Sequence, residues 1–190
     1  MLNLRPTDIS IGIDPSLTGT AVCLGVGDGF FARRFPSVKV DGGVSARIQR
    51  INDIVADVVN WIEDRCGDRI PSACFLEGYA HAGKKLYHTG NLQVEFGGVL
   101  RSELIYLTRH IYEVLPKSLK RFTAGTGKAD KSQMTSAVRM LYGHRFATDD
   151  EVDACALYYM GRIISGAEPA RCERQEAMIG DYEKIIATRT

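Results

Sequence analysis

Four acidic residues of this chain stand where their carboxylates can converge. Asp14 ends the alternating run Ile-Ser-Ile-Gly-Ile-Asp at 9–14, in which Ile9, Ile11 and Ile13 share one face of a strand and Asp14 lies on the other. Glu77 ends a second apolar run, Ala-Cys-Phe-Leu at 73–76, bounded by Pro71 and Gly78. Asp150 and Asp153 form an i, i+3 pair on one helix face. Counting on from Asp153 at helical spacing reaches Leu157, Met160 and Ile164, so Asp153 is expected to point inward. A buried carboxylate must be neutralised by a proton, a cationic side chain or a metal. Singly, each acid has an ordinary alternative: Asp14 can bond the following turn, Glu77 can pair with an arginine, and an acid such as Asp150 in a helix's first turn is commonplace. Together they form a hard oxygen donor set suited to Mg²⁺ or Mn²⁺. Two such ions about 3.5–4 Å apart can clamp an in-line displacement at phosphorus, which makes phosphodiester hydrolysis the chemistry this set would perform.

A phosphate substrate calls for positive charge, and the chain concentrates it. The formal total is only +1, yet residues 116–145 carry Lys117, Lys120, Arg121, Lys128, Lys131, Arg139 and Arg145 against the single anion Asp130. That segment therefore stands at +6 and the remainder at −5. Such a stretch serves either as a phosphate-backbone contact or as a surface helix with solvated lysines. Within it, Gly125 and Gly127 would let main-chain N–H groups approach a phosphate, with Lys128 and Lys131 adding charge. Lys128 is followed by Ala129, so this is not a nucleotide-binding P-loop. The five cysteines (23, 66, 74, 155 and 172) are odd in number and lack a C-x-x-C pair, and the four histidines lack zinc-ligand spacing. Any metal would be held by oxygen.

The elements that must position these groups can be read from periodicity. After the strand at 9–14, short strands are expected near 20–26 and 30–38, joined by the Gly-Asp-Gly turn at 27–29. Val44, Ile48, Ile51, Val55, Val58, Val59 and Ile62 predict a helix over 44–62. Residues 73–77 form a strand, 91–108 a helix, and 111–115 a fifth strand closed by Pro116. Helical periodicity resumes at 130–142 and 149–165, the latter opened by Thr148 and Glu151 as a capping box. One further helix is expected after Pro169. The order βββαβαβ followed by helices predicts an α/β fold, a mixed five-stranded sheet with helices on its faces.

Four segments resemble the successive signatures of the RuvC family of Holliday junction resolvases, and they lie in that family's order across residues 9–165. They are Ile-Gly-Ile-Asp-Pro-Ser-Leu-Thr-Gly at 11–19, Phe-Leu-Glu at 75–77, Gly-Thr-Gly-Lys-Ala-Asp-Lys-Ser-Gln at 125–133 and Asp-Glu-Val-Asp-Ala-Cys-Ala-Leu at 150–157. The resemblance implies an RNase H-like fold, a homodimer, Mg²⁺ dependence with Mn²⁺ able to substitute, and paired symmetric nicking of branched DNA such as a four-way junction. By motif, Asp14, Glu77, Asp150 and Asp153 match the family's metal-binding catalytic acids, two ions to a site. Lys120 and Lys131 match basic residues placed near the scissile phosphate, Lys131 being the one expected to act in catalysis. Lys117, Arg121 and Lys128 complete the expected DNA contacts. The family has an aromatic wedge three residues after the glutamate; here that position is Ala80, and Tyr79 is the nearest aromatic. This divergence suits a phage or mobile-element member.

One nuclease domain is expected over 1–166, with 167–190 as a helical extension of it. For the dimer contact the helix near 91–108 is the candidate: Gly97 and Gly98 would permit close approach, and Leu92, Phe96 and Leu100 recur on one face. The same stripe would serve equally to cover the protein's own sheet. Hydrophobic residues at 45% and charged residues at 25%, with no long apolar run and no leader-like N-terminus, lead us to expect no membrane association and a bacterial or phage-infected host cytoplasm. Actin-like and sugar-kinase ATPases also open on a strand ending in Asp. They require two such domains around a nucleotide, and no second signature is present, so no nucleotide cofactor is expected. Two alternatives remain: another RNase H-like nuclease acting on forks, flaps or RNA-containing substrates, and a non-catalytic binder of branched DNA.

Overall fold

The computed structural model describes residues 3–38, 42–78 and 89–187, the side chains of 89–91 and 182–187 excepted. The alternating segment at the N-terminus forms β1 (Ser10–Asp14), followed by β2 (Gly19–Val26) and β3 (Gly29–Pro36). The 27–29 turn joins the last two, with Gly27 at φ +59°. Helix α1 (Val44–Cys66) leads to β4 (Ala73–Glu77), α2 (Thr89–Leu107) to β5 (Ile111–Val114), and four helices follow: α3 (Pro116–Ala124), α4 (Lys131–Tyr142), α5 (Asp149–Ile164) and α6 (Glu173–Ala187).

The five strands lie in the order β3-β2-β1-β4-β5. β1, β2 and β3 pair antiparallel, whereas β1–β4 and β4–β5 are parallel. Both faces of the sheet are covered. On one, Ile9, Ile11, Ile13, Val22, Leu24 and Leu76 meet the apolar stripe of α1 and the Phe96, Leu100 and Leu104 row of α2. On the other, Ala21, Cys23 and Phe75 meet α5, backed by Leu119 and Phe122 of α3 and Met134 and Val138 of α4. β1 is buried along its whole length, as befits a central strand covered on both sides.

Helix α5 sits unusually close to that central strand. A Cβ on Gly12 would lie 2.3 Å from the Ala154 carbonyl oxygen and 2.4 Å from the Tyr158 nitrogen, so only glycine lets the helix backbone rest on β1. The helix begins as expected: Thr148 Oγ1 accepts from the Glu151 N–H at 3.3 Å, and the Glu151 carboxylate accepts from the Thr148 N–H at 3.1 Å. At its far end Arg162 is nearly buried. Its guanidinium donates to Glu168 Oε1 at 2.9 Å and to the carbonyls of Asp8 at 2.9 Å and Pro6 at 2.8 Å, tying the N-terminal segment to α5.

One alternative left open by the sequence is decided, and one element is added. The stripe on α2 belongs to the protein's own core, because Phe96 and Leu100 are both fully buried against the sheet. Burying side chains of this size stabilises by about 1.5–3 kcal/mol each, a gain the sheet would forfeit if they faced a second copy. Gly97 is buried as well, while Gly98 looks onto open space. The added element is α3, a helix at the start of the basic stretch. Pro116 at its first turn, Leu119 and Phe122 three apart, and Gly125 in the left-handed conformation at its end are ordinary helix signals. Its nine residues are too few for periodicity to stand out.

Candidate metal and phosphate site

The topology carries the acids to one corner. β1 and β4 are parallel neighbours with Ile13 opposite Leu76, so Asp14 and Glu77 reach the same end of the sheet side by side. Gly12 and Phe75 face α5, and period-two alternation sends Asp14 and Glu77 to that same face. The N-terminal turn of α5 arrives there with Asp150 and Asp153. Gln93 of α2 donates to the Pro15 carbonyl, pinning the turn that follows Asp14.

Electrostatics show how tightly the set is drawn together. Burial first, then the charges of Glu77, Asp153 and Asp150, push the Asp14 carboxyl up to about 9. Burial and Asp153 raise Glu77 to about 7, while a hydrogen bond from Asp14 and the charge of Lys120 pull it back. Asp14 and Glu77 titrate as a pair, Asp14 being the more strongly raised of the two. Burial lifts Asp153 to about 6 against the opposing charge of Lys120. Asp14 and Glu77 are thus held back from ionising by burial and by neighbouring carboxylates, and hard oxygen donors so crowded suit a divalent cation.

Asp150 is arranged differently. Its Oδ2 accepts from Arg34 Nε on β3 at 2.7 Å, both side chains being about one-third exposed at 30% and 31%. Among the described residues no three acidic, histidine or cysteine groups are already set around one point as ligands. Asp150 reaches the corner through its backbone, with its carboxylate turned to the guanidinium.

The cations divide into near and far. Lys120, half-buried on α3, acts on both Glu77 and Asp153. Lys131 is largely exposed and pairs with Asp149 at 2.8 Å, its pKa raised first by that contact and then by the charges of Asp150 and Asp153. Lys117, Arg121 and Lys128 are exposed along α3 and the loop after it. Tyr79 and the segment up to residue 88 lie outside the described residues. The expectation that Gly125 and Gly127 let main-chain N–H groups approach a phosphate is corrected for Gly125: that N–H donates to the Arg121 carbonyl at 3.0 Å as the cap of α3, and the Lys128 N–H donates to Thr126 Oγ1 at 3.3 Å. The glycine there ends a helix.

Arg34 was missed by sequence reasoning. It lies 116 residues from Asp150, and only the β2–β3 pairing, which sets it opposite Ala21 while Ala21 is opposite Asp14, brings it to the corner. Arg174 was missed as well; it donates from α6 to the Thr123 carbonyl at 2.7 Å and so secures the helix bearing Lys120.

No protein-family model matches the chain, and no curated protein sequence matches it. Solved structures do. A Thermus thermophilus RuvC structure superimposes with a TM-score of 0.54 at 21% identity, covering 79% of this chain and 90% of that one. T. thermophilus RuvC in complex with a Holliday junction substrate gives a TM-score of 0.62 at 14% identity, covering 83% of this chain and 97% of that one. At such identities the likeness concerns architecture, and with its three antiparallel strands, two parallel ones and crossing helix the chain has a RuvC-type, RNase H-like fold.

Proposed function

We propose that the chain is a metal-dependent endonuclease that cuts phosphodiester bonds in branched DNA, resolving four-way junctions by paired symmetric nicks. The observation that carries this reading is the convergence of Asp14, Glu77 and Asp153 with the first turn of α5, in an environment that raises Asp14 to about 9. The solved RuvC whose fold it shares holds a Holliday junction substrate, which favours branched DNA as the ligand.

Asp14, Glu77, Asp150 and Asp153 would hold Mg²⁺, or Mn²⁺ in its place, as a pair of ions. The chemistry such a pair would supply is activation of water for attack at phosphorus and stabilisation of the leaving oxygen. Asp14 and Glu77 sit on neighbouring strand ends, so their spacing is fixed by the sheet ladder rather than by flexible loops. Lys120, whose charge acts on both Glu77 and Asp153, would offset charge that grows on the reacting phosphate. Lys131, paired with Asp149 at the rim, is available to the phosphate once DNA competes for it. Lys117, Arg121 and Lys128 extend the positive surface along the strand backbone. Two cuts in strands of like polarity are met most simply by a twofold homodimer, each copy bringing one site.

The test is a set of end-labelled substrates: four-way junction, fork, linear duplex and RNA–DNA hybrid, each in Mg²⁺, Mn²⁺ and EDTA. Paired nicks in the junction alone, sealed by ligase and abolished by EDTA, are expected. Preferential cutting of the hybrid would replace this reading with an RNA-directed one, and tight junction binding without cleavage in either metal would replace it with a binding protein.

A further inference from the structure

Arg34 makes contacts that the proposed chemistry does not require. Its Nε donates to Asp150 Oδ2 at 2.7 Å, and its Nη2 donates to the Thr18 carbonyl at 3.2 Å. Space for the guanidinium is built into the neighbouring strand, because a Cβ on Gly19 would lie 2.1 Å from Nη2. The seat is thus shaped for this group, at the end of β2 beside the turn after Asp14. Both partners are about one-third exposed, and an ion pair so placed is weak and readily exchanged. Lys131 and Asp149 repeat the arrangement one residue earlier on α5.

We propose that Arg34 is a cation-released phosphate ligand: without metal it occupies Asp150, and when a divalent cation takes that carboxylate the guanidinium passes to the DNA backbone. This rests on the reading of Asp150 as a metal ligand. Metal and guanidinium compete for one carboxylate, since both require its negative charge and their own charges repel. DNA binding and cation binding then strengthen each other through the released arginine, and the coupling is reciprocal. A guanidinium suits the second post, because its planar fork matches phosphate oxygens as well as carboxylate ones. The protein thereby gains a phosphate contact only when the site is charged with metal, which favours loaded over empty protein on the substrate.

Two measurements with Ca²⁺ as the probe ion test this, neither of them reading catalysis. In calorimetry without DNA, Arg34→Gln is expected to bind Ca²⁺ roughly threefold to tenfold more tightly than wild type, having lost the competitor. In salt titrations of four-way junction binding, Arg34→Gln should match wild type in EDTA, whereas in Ca²⁺ its log–log salt slope should be shallower by about 1. Asp150→Asn should strengthen junction binding in EDTA roughly threefold to tenfold, and the gain should vanish in the Arg34→Gln/Asp150→Asn double variant. Weaker Ca²⁺ binding by Arg34→Gln, or an equal loss of slope in EDTA and Ca²⁺, would overturn the switch and leave the nuclease reading intact. A wild-type protein that takes up no Ca²⁺ would overturn both.

Discussion

Replacing Asp14 by asparagine should make the metal-free protein more stable. The Asp14 carboxyl is raised from 3.8 to about 9, chiefly by burial, so at neutral pH the folded protein must hold a proton that the unfolded chain releases. The sign follows directly. Below about pH 4 both states are protonated and nothing is lost; as pH rises toward 9 the folded state loses stability at up to about 1.36 kcal/mol per pH unit. Between pH 5 and pH 8 this amounts to about 4 kcal/mol. Asp14 shares its hydrogen bond with Glu77 and the two ionise as a pair, so about half of that falls to Asp14 itself. Asparagine keeps the shape and never ionises. Thermal melts in EDTA at pH 8 should place Asp14→Asn higher by about 2 kcal/mol, or about 4–8 °C for a chain of this size. At pH 5 the two proteins should nearly coincide. With saturating Mg²⁺ at pH 8 the order should invert, because ligand binding stabilises the wild type alone. A variant that melts below wild type in EDTA at pH 8, or a difference independent of pH, would refute the reasoning.

Gly12→Ala should cost about 3 kcal/mol or more, since the new methyl group would meet the α5 backbone and not a pliable side chain; a urea midpoint within error of wild type would show that α5 can move off β1. Arg162→Leu should destabilise by about 3 kcal/mol, read in the same titration, because Glu168 and two carbonyls lose a nearly buried donor. Lys120→Ala should lower the cleavage rate far more than junction affinity, whereas Lys117→Ala should weaken binding and flatten its salt dependence. Gel shifts and single-turnover cleavage separate the two effects, and equal losses of affinity alone would reduce Lys120 to a backbone anchor.

The acids were legible because each lies at the end of an element whose periodicity is strong. Alternation marks β1 up to Asp14, and the capping box at Thr148 fixes where Asp150 and Asp153 fall on α5. The antiparallel β1–β2–β3 meander and the mixed five-stranded sheet followed from the same pattern, whereas the pairing of β1 with β4 did not. What stayed hidden depends on tertiary approach. Lys120 acts on Glu77 and Asp153 from α3, and nine residues with three of them cationic read equally as a solvated surface helix or a phosphate contact. The Leu92, Phe96 and Leu100 stripe could face a partner or the sheet, and only the seating of α2 beside α1 decided for the sheet. Gly125 illustrates a competing use of one residue type: the left-handed backbone that would suit a phosphate nest here terminates a helix. The Arg34–Asp150 pair joins opposite ends of the sequence and carries no local signal.

The central claim is that four carboxylates serve metal-dependent strand cleavage and are not needed to grip DNA. Its most direct measurement takes Asp14→Asn, Glu77→Gln, Asp150→Asn and Asp153→Asn one at a time, assaying single-turnover cleavage of a labelled four-way junction in Mg²⁺ beside junction binding in EDTA. The account predicts that each variant loses cleavage by at least about a thousandfold, or about 4 kcal/mol, while binding stays within tenfold of wild type. Mg²⁺-dependent cleavage retained by two or more of the four would contradict it.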